Sequence, residues 1–149
     1  MRGVRPDFLV WLLIALAAMA CDDNGTSPSQ AALALTVSDP VVARFDAGSN
    51  ALVAEFPVTI SDPAGGGTLA AIVTTVLNQS RGAVVVRNER PNASFAFPAT
   101  VLPAGGSLTV QAGAAFTATP PRDEIVLVVE ARLSDGRVVQ RTVGLVQQF

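Results

Sequence analysis

The lone cysteine, Cys21, is the side chain of this sequence with the most distinctive chemistry. The chain contains one Cys, no His and no Tyr, and all of its basic residues are arginine. A single thiol forms no internal disulfide and builds no thiolate metal cage. Without an imidazole or an amine, a serine nucleophile lacks its usual activating base. The sequence therefore predicts a protein that is not an enzyme and holds no metal or cofactor, and Cys21 needs another explanation.

The acidic side chains are scattered, and only Asp22-Asp23 and Asp123-Glu124 are adjacent pairs. Loop carboxylates and carbonyls can bind calcium, for instance at Asp39, Asp46 and Asp62, but no EF-hand-like spacing is present. Solvated turn acids are the interpretation we favour, since Asp39, Asp62, Asp123 and Asp135 lie where turns or strand starts favour them. A hydrolase that works with paired carboxylates is the remaining catalytic hypothesis, and it has no evident pair.

An apolar segment directly precedes Cys21. Arg2 and Arg5 give the chain a positive start, and an uncharged apolar run follows over Phe8–Ala20. A membrane-spanning helix needs about 20 residues, whereas the apolar core of a signal peptide has about 7–15. The segment therefore predicts a helical signal peptide over residues 1–20, with cleavage between Ala20 and Cys21.

The junction Leu16-Ala17-Ala18-Met19-Ala20-Cys21 resembles the lipobox of bacterial lipoproteins. The resemblance implies that Cys21 carries a diacylglycerol and that the new amino terminus is acylated as well. Two or three acyl chains anchor a protein stably to a bilayer, whereas one chain does not. The implied partner is thus the membrane, and the implied location is the cell envelope, on the periplasmic or the outer surface. An ordinary secretory signal, with Cys21 incidental, is the alternative.

Beyond the signal, the sequence divides into a tether and one domain. Residues 21–30 are polar and contain Gly, Pro and Ser, which is typical of a disordered, flexible tether. Residues 31–149 have the length of a single domain. Without residues 1–20 the chain has more acidic than basic residues, whereas a nucleic-acid-binding face needs an excess of basic ones. No nucleic-acid partner is expected.

The domain alternates apolar and polar residues with the period of two that is typical of half-buried strands. The two clearest runs are Ala51–Ser61 and Ser107–Thr117. The side chains predicted to face the core are Leu52, Ala54, Phe56, Val58 and Ile60 in the first run, and Leu108, Val110, Ala112, Ala114 and Phe116 in the second. Six further strands are predicted at Leu33–Ser38, Val41–Phe45, Leu69–Asn78, Ala83–Asn88, Glu124–Leu133 and Arg137–Val146.

Two features of these runs carry specific expectations. Pro57 cannot donate to a strand ladder, so its strand is expected to lie at a sheet edge or to be bulged there. Gly65-Gly66-Gly67 is followed by no Gly-Lys-Ser/Thr and no predicted helix, so it is not a phosphate-binding loop. We expect it to connect two strands.

The last two predicted strands flank Asp135-Gly136, which is a favoured two-residue hairpin turn. Such a turn fixes the register of the strands on either side. It places Glu130 opposite Arg141, which predicts a charged cross-strand pair. Coincidence of the spacing is the alternative.

Eight short strands separated by turns predict an all-β antiparallel sandwich of about 7–8 strands. The segment 101–110, VLPAGGSLTV, resembles the loop and strand before the last hairpin in fibronectin-III-like and adhesion-related domains of bacterial surfaces. The resemblance implies an immunoglobulin-like β-sandwich. The hallmarks of antibody domains are missing, because no cysteine pair and no Tyr are available. Function does not follow from such a fold.

We therefore expect a lipid-anchored, non-enzymatic interaction or envelope-structural module with an unidentified protein partner. Three stretches are apolar on both faces: Ile72-Val73 with Val76-Leu77, Val84–Val86 and Ile125–Val129. They indicate either central strands with tolerated surface valines or a patch that docks a partner or a second copy of the chain. The alternative function is a carbohydrate- or small-ligand-binding module that stacks its ligand on Phe95 or Phe97.

Overall fold

The computed structural model describes residues 32–91 and 100–149. The predictions for residues 1–30, the signal helix and the tether, lie outside these ranges. Within them the regular elements are β1 (Ala34–Val37), β2 (Val41–Asp46), β3 (Ala51–Ser61), β4 (Gly67–Asn78), a short 3-10 turn (Gln79–Arg81), β5 (Ala83–Pro91), β6 (Val101–Leu102), β7 (Ser107–Phe116), β8 (Ile125–Leu133) and β9 (Val138–Gln148).

The predicted all-β class is confirmed. Each of the eight predicted strands is present, and Ala51–Ser61 begins and ends at the predicted residues. The ten side chains predicted to face the core in that strand and in Ser107–Thr117 are all buried. The additional strand, β6, spans two residues. Two residues are too few to show an alternation, so the sequence pattern does not reveal it.

The strands form a mixed sheet. Its nine strands within the described residues run in the order β1-β3-β2-β9-β8-β4-β5, with β7 paired to β3 and β6 paired to β4. Neighbouring strands are antiparallel except β2 and β9, which are parallel. The predicted purely antiparallel arrangement is therefore wrong at this pair. A parallel pair needs a long connection, and local alternation carries no information about it.

β3 is flanked on both sides rather than lying at an edge. β7 pairs with it along residues 52–61. On the other side β2 covers residues 51–53 and β1 covers residues 58–61. Pro57 lies in the gap between β1 and β2, where no described strand pairs with this side of β3, as the missing amide hydrogen of proline allows.

The turn between β1 and β2 redirects the chain from one partner strand to another. The Asp39–Pro40 peptide is cis. Asp39 Oδ1 accepts a hydrogen bond from the Gly144 amide of β9 at 3.0 Å. From Val41 onward, β2 pairs with β9. The first strands of the domain are thus bound to its last strand.

One hydrophobic core is shared by nearly all strands. Side chains from β3 and β7 pack in the same cluster as side chains from β4, β8 and β9, including Ile72, Leu127, Val129 and Val143. Full burial of such a side chain contributes about 1.5–3 kcal/mol. The apolar side chains that recur at every second position of the strands are therefore the ones whose burial stabilises the fold.

The register of the last hairpin differs from the predicted one by a single residue. Glu130 lies opposite Gln140, and Arg141 lies opposite Val129. Because successive side chains in a strand point to opposite faces, Glu130 and Arg141 are on different faces, and the predicted pair is wrong. Glu130 instead accepts a hydrogen bond from Arg132 of its own strand, with Nε and Oε1 at 2.5 Å.

The cause of the shift is a hairpin loop of three residues, 134–136, instead of two. The Leu133 amide donates to the Arg137 carbonyl at 2.9 Å, and the Gly136 amide donates to the Leu133 carbonyl at 3.1 Å. Gly136 has φ +89°. A left-handed residue at the end of a three-residue loop is the alternative to the two-residue turn, and an Asp-Gly sequence suits both.

Candidate functional site

The predicted site residues Ala20 and Cys21, and the alternative ligand-stacking residues Phe95 and Phe97, lie outside the described residues. Two charged clusters and a cleft are the candidate sites in the described part of the chain.

The first cluster, the Arg137 cluster, consists of Arg137, Asp62, Asp135 and the Gly66 carbonyl. Arg137 Nη1 donates to the Asp62 carboxylate, Nη2 donates to the Gly66 carbonyl at 2.7 Å, and Nε donates to Asp135 Oδ2 at 2.8 Å. Asp62 is only 2% exposed. The guanidinium therefore holds the loop between β3 and β4 against the hairpin loop between β8 and β9.

Asp62 accepts three hydrogen bonds. Its Oδ1 also accepts from the amides of Ala64 at 3.2 Å and Gly65 at 2.9 Å. The hydrogen bond from Arg137, with those two amides, lowers the pKa of Asp62, and the two carboxylates raise the pKa of Arg137. A buried carboxylate held ionised by an arginine and two amides has no proton to give, and its hydrogen bonds join two loops, so this cluster is structural.

The glycine-rich connection packs against this cluster. A Cβ on Gly66 would lie 2.7 Å from the Leu102 carbonyl oxygen and 2.8 Å from the Ala104 nitrogen. Only glycine allows two backbone segments to approach so closely. This geometry fits the expectation of a strand connection.

The second cluster, the Asp123 cluster, consists of Asp123, Asn78 and Arg81. Asp123 Oδ2 accepts from Asn78 Nδ2 at 2.7 Å and from Arg81 Nε at 2.6 Å. Asn78 Oδ1 in turn accepts from the Arg81 amide at 3.1 Å. The hydrogen bonds from Asn78 and Arg81 lower the pKa of Asp123. The cluster closes the 3-10 turn onto the segment that enters β8, which is again a structural task.

The cleft lies between β3 and β7 on one side and β4 and β5 on the other, with a volume of about 360 Å³. Its apolar lining includes Ile72, Ala112 and Ala114, and its polar lining includes Glu55 and Asn88. The carboxylate and the amide can hydrogen-bond a ligand.

Two side chains reach across this cleft to the outer edge of β7. Thr74 Oγ1 donates to the Gly113 carbonyl at 2.9 Å. Arg90 Nη1 donates to the Gln111 carbonyl at 2.9 Å. These bonds occupy backbone acceptors that an edge strand otherwise offers to another chain. The free edge of β7 is therefore partly blocked.

The three acids considered as a calcium-binding alternative are not grouped with one another. Within residues 32–91 and 100–149, no three His, Cys, Asp or Glu side chains are grouped so that they could hold a metal ion, and this includes Asp39, Asp46 and Asp62. The same residues contain no helix with the length and apolar character needed to span a membrane.

The stretches that are apolar on both faces have mixed environments. Ile72 belongs to the core, and Val73 faces away from it but is only 2% exposed. Val126 is half-buried, whereas Val84 at the β5 edge is 61% exposed. Most of the outward apolar side chains are thus covered, and the exposed apolar surface on β5 is local.

Sequence reasoning identified the acids of both clusters only as turn residues. The partners Asp62 and Arg137 lie 75 positions apart in the chain. The available signal was local: Asp62 precedes a proline-glycine turn, and Arg137 follows an Asp-Gly turn. Which acid meets which arginine depends on the sheet topology, and no spacing in the sequence shows it.

The sequence matches no protein-family model and no curated protein. An X-ray structure of the structural genomics target SoR45 aligns over 76% of this chain and 83% of its own, with 9% identity and a TM-score of 0.48. A β-glucuronidase from glycoside hydrolase family 2 aligns over 74% of this chain and 11% of its own, with 13% identity and a TM-score of 0.47.

A third similar structure is Spo0M, a sporulation control protein from Bacillus subtilis. It aligns over 78% of this chain and 49% of its own, with 8% identity and a TM-score of 0.41. With identities and TM-scores this low, none of the three likenesses assigns a function to the chain.

Proposed function

We propose that this chain is a bacterial lipoprotein whose β-domain, carried on lipidated Cys21, acts as a non-enzymatic interaction or structural module of the cell envelope. The observation that carries the proposal is the position of the lone cysteine. It stands where a short apolar leader ends and a polar segment, Asp22–Gln30, begins. Acylation of this thiol explains its position, and a lone cysteine has no disulfide partner that would give it another role.

The non-enzymatic part of the proposal is supported by what the acids do. Asp62 and Asp123 are each bound to an arginine. Asp46 accepts from the Ser49 hydroxyl at 2.6 Å and from the Gly48 amide at 3.1 Å within its own turn. In a chain without His or Lys, carboxylates are the main candidates for acid–base chemistry. These three hold loops together instead.

The domain itself is proposed to be an immunoglobulin-like sandwich. In this arrangement β1, β3 and β7 form one layer and β5, β4, β8 and β9 form the other, while β2 crosses between them. Support comes from the shared core and from the bond between Thr74 of β4 and Gly113 of β7, which joins the two groups of strands. Such domains commonly present edges and loops to partners.

Labelling of the full chain in a bacterial host with a radioactive fatty acid tests the lipid anchor. The unchanged chain and a matched polar-segment control, Asn24→Ser, are expected to incorporate label and to enter the detergent phase. Cys21→Ser is expected to lose the label and to retain its leader. Recovery of the unchanged chain with a free thiol at Cys21 in the water phase would contradict the proposal.

The cleft favours one alternative, a carbohydrate- or small-ligand-binding module, because its apolar lining and polar rim are typical of small-ligand sites. A glycan-array measurement separates the two functions. The interaction-module proposal expects no signal that depends on the cleft. A signal lost on Asn88→Ala, Phe95→Ala or Phe97→Ala, but kept in an exposed control such as Thr142→Ala, would establish the alternative.

A further inference from the structure

β5 is an edge strand that contacts β7 through the Arg90 side chain but forms no ladder with it. It spans Ala83–Pro91, and within the described part of the chain only β4 pairs with it. Most of its residues are exposed, and Val84 is 61% exposed. An edge strand of this length presents a row of backbone donors and acceptors that can accept another strand.

The charges on β5 are arranged to meet a copy of themselves. Arg87 lies opposite Thr75 of β4, and Glu89 lies opposite Val73, so both charged side chains are on the face away from the core. No described residue forms an ion pair with Arg87, and Glu89 has a loose one, with Oε2 3.5 Å from Arg132 Nη1. Each charge is therefore available to a neighbour across the edge.

We propose that two copies of this chain associate through antiparallel pairing of their β5 strands, centred on Asn88. In this register Arg87 lies opposite the partner's Glu89, and Glu89 lies opposite the partner's Arg87. A register centred on Arg87 or on Glu89 sets like charges against each other, and one centred on Val86 forms no charged pair. Opposite charges facing each other across strands stabilise a register, and like charges oppose it.

The symmetry of the pair agrees with the usual form of a homodimer. A two-fold axis through an antiparallel strand pair places the same surface on both subunits, so every contact occurs twice. The two sheets then become one continuous sheet across the interface. This association does not depend on the lipid at Cys21, so a result that contradicts the lipid anchor does not contradict the dimer, and the reverse also holds.

Cysteine crosslinking of the full chain in detergent tests the register. Asn88→Cys places two thiols across the axis, where the Cα atoms of opposed residues are about 4.5–5.5 Å apart and within disulfide range. Val86→Cys is the matched control on the same face, since its two copies are about 13 Å apart in this register. Asn88→Cys is expected to give a disulfide-linked dimer. Val86→Cys and the unchanged chain retain Cys21, as Asn88→Cys does, and are expected to give only a background level of disulfide-linked dimer.

Exchanging the charges of Arg87 and Glu89 tests whether these two side chains pair across the proposed interface. Arg87→Glu, added to Asn88→Cys, is expected to weaken association about tenfold and to reduce crosslinking, because it sets two glutamates opposite each other on both sides of the axis. The further change Glu89→Arg is expected to restore crosslinking with the charges exchanged. Circular dichroism melting checks that these exposed substitutions leave the domain folded.

Four results would overturn the proposal: equal crosslinking of Asn88→Cys and Val86→Cys, no effect of Arg87→Glu, no recovery in the exchanged variant, or crosslinking of the Asn88→Cys variant to a different protein instead of to itself. A chain that crosslinks as expected but carries no lipid would contradict the anchor while leaving the dimer intact.

Discussion

At the scale of single residues, the arginine–carboxylate contacts are what join distant parts of the chain. Arg137 binds Asp62 of the loop between β3 and β4 and Asp135 of its own hairpin loop, and Arg81 binds Asp123, 42 positions away in the chain. The long-range contacts Arg137–Asp62 and Arg81–Asp123 were not visible in the sequence, because each depends on segments that the topology brings together. What the sequence did predict was that Asp62, Asp123 and Asp135 lie in turns, since short polar side chains bond to nearby amides.

The lowered pKa of Asp62 makes the stability of the domain depend on pH. A carboxyl whose folded pKa lies below its unfolded value of about 3.9 stabilises the fold above that pH, and this contribution is lost as pH falls through the folded pKa. The melting temperature is therefore expected to fall as pH decreases below about 4. Asp62→Asn should lower the melting temperature at neutral pH and flatten this dependence.

Asp135→Asn provides the comparison for that titration. Asp135 also binds Arg137, which lowers its pKa, but its side chain is 47% exposed, against 2% for Asp62. Solvent screens the more exposed pair, so a smaller change is expected. Equal pH profiles for the unchanged chain and Asp62→Asn, measured by circular dichroism, would show that the Arg137 cluster does not act in this way.

Close backbone approach at Gly66 gives a second prediction at this scale. Gly66→Ala is expected to destabilise the domain by about 1–3 kcal/mol, because the added methyl meets backbone atoms that must move. Gly48→Ala is the control, since its Cβ would lie 3.5 Å from the Asp46 carboxylate, an ordinary contact. Urea denaturation measures both, and equal midpoints would contradict the packing described here.

At the scale of elements, the alternation of apolar and polar residues predicted the strands and their buried faces. It did not predict which distant strands pair with each other. The strand Ala51–Ser61 and its buried face followed from the period of two. The strand pair β2–β9 did not, because it joins segments that are far apart in the chain and local alternation cannot encode such a pairing. The predicted Glu130–Arg141 pair is wrong because an Asp-Gly sequence suits hairpin loops of two or three residues. One additional loop residue shifts the register by one and places the two side chains on opposite faces of the sheet.

The observed register of the last hairpin can be tested with a like-charge pair. Gln140→Glu sets a carboxylate directly opposite Glu130 and is expected to cost about 0.2–1 kcal/mol. Thr142→Glu adds the same charge opposite Val128 and is expected to be nearly neutral. The free energies of unfolding of the two variants, measured by urea denaturation at low and high salt, test the register: the observed register expects the larger loss for Gln140→Glu and a reduction of that loss in salt. Equal losses that persist in salt would argue against it.

At the scale of the whole molecule, a single core unites all the long strands except the exposed β5, from which only Val85 and Val86 pack against it. Leu127 in β8 is fully buried, and its neighbour Val128 faces outward. Leu127→Ala is expected to destabilise the domain by about 2–5 kcal/mol, because it leaves a cavity. Val128→Ala, as the outward control, should cost clearly less in the same denaturation measurement. A reversed order would mean that the inner and outer faces of β8 are misassigned.

The parallel pairing of β2 with β9 determines how the domain resists a pulling force. In a parallel pair, the amino-terminal end of one strand and the carboxy-terminal end of the other lie at opposite ends of the ladder. Tension applied through the two ends of the chain therefore loads the bonds of Val41–Arg44 with Leu145–Gln148 in shear. These hydrogen bonds must break together rather than one at a time. The β2–β9 pair, which the sequence pattern did not predict, is therefore expected to resist such a force.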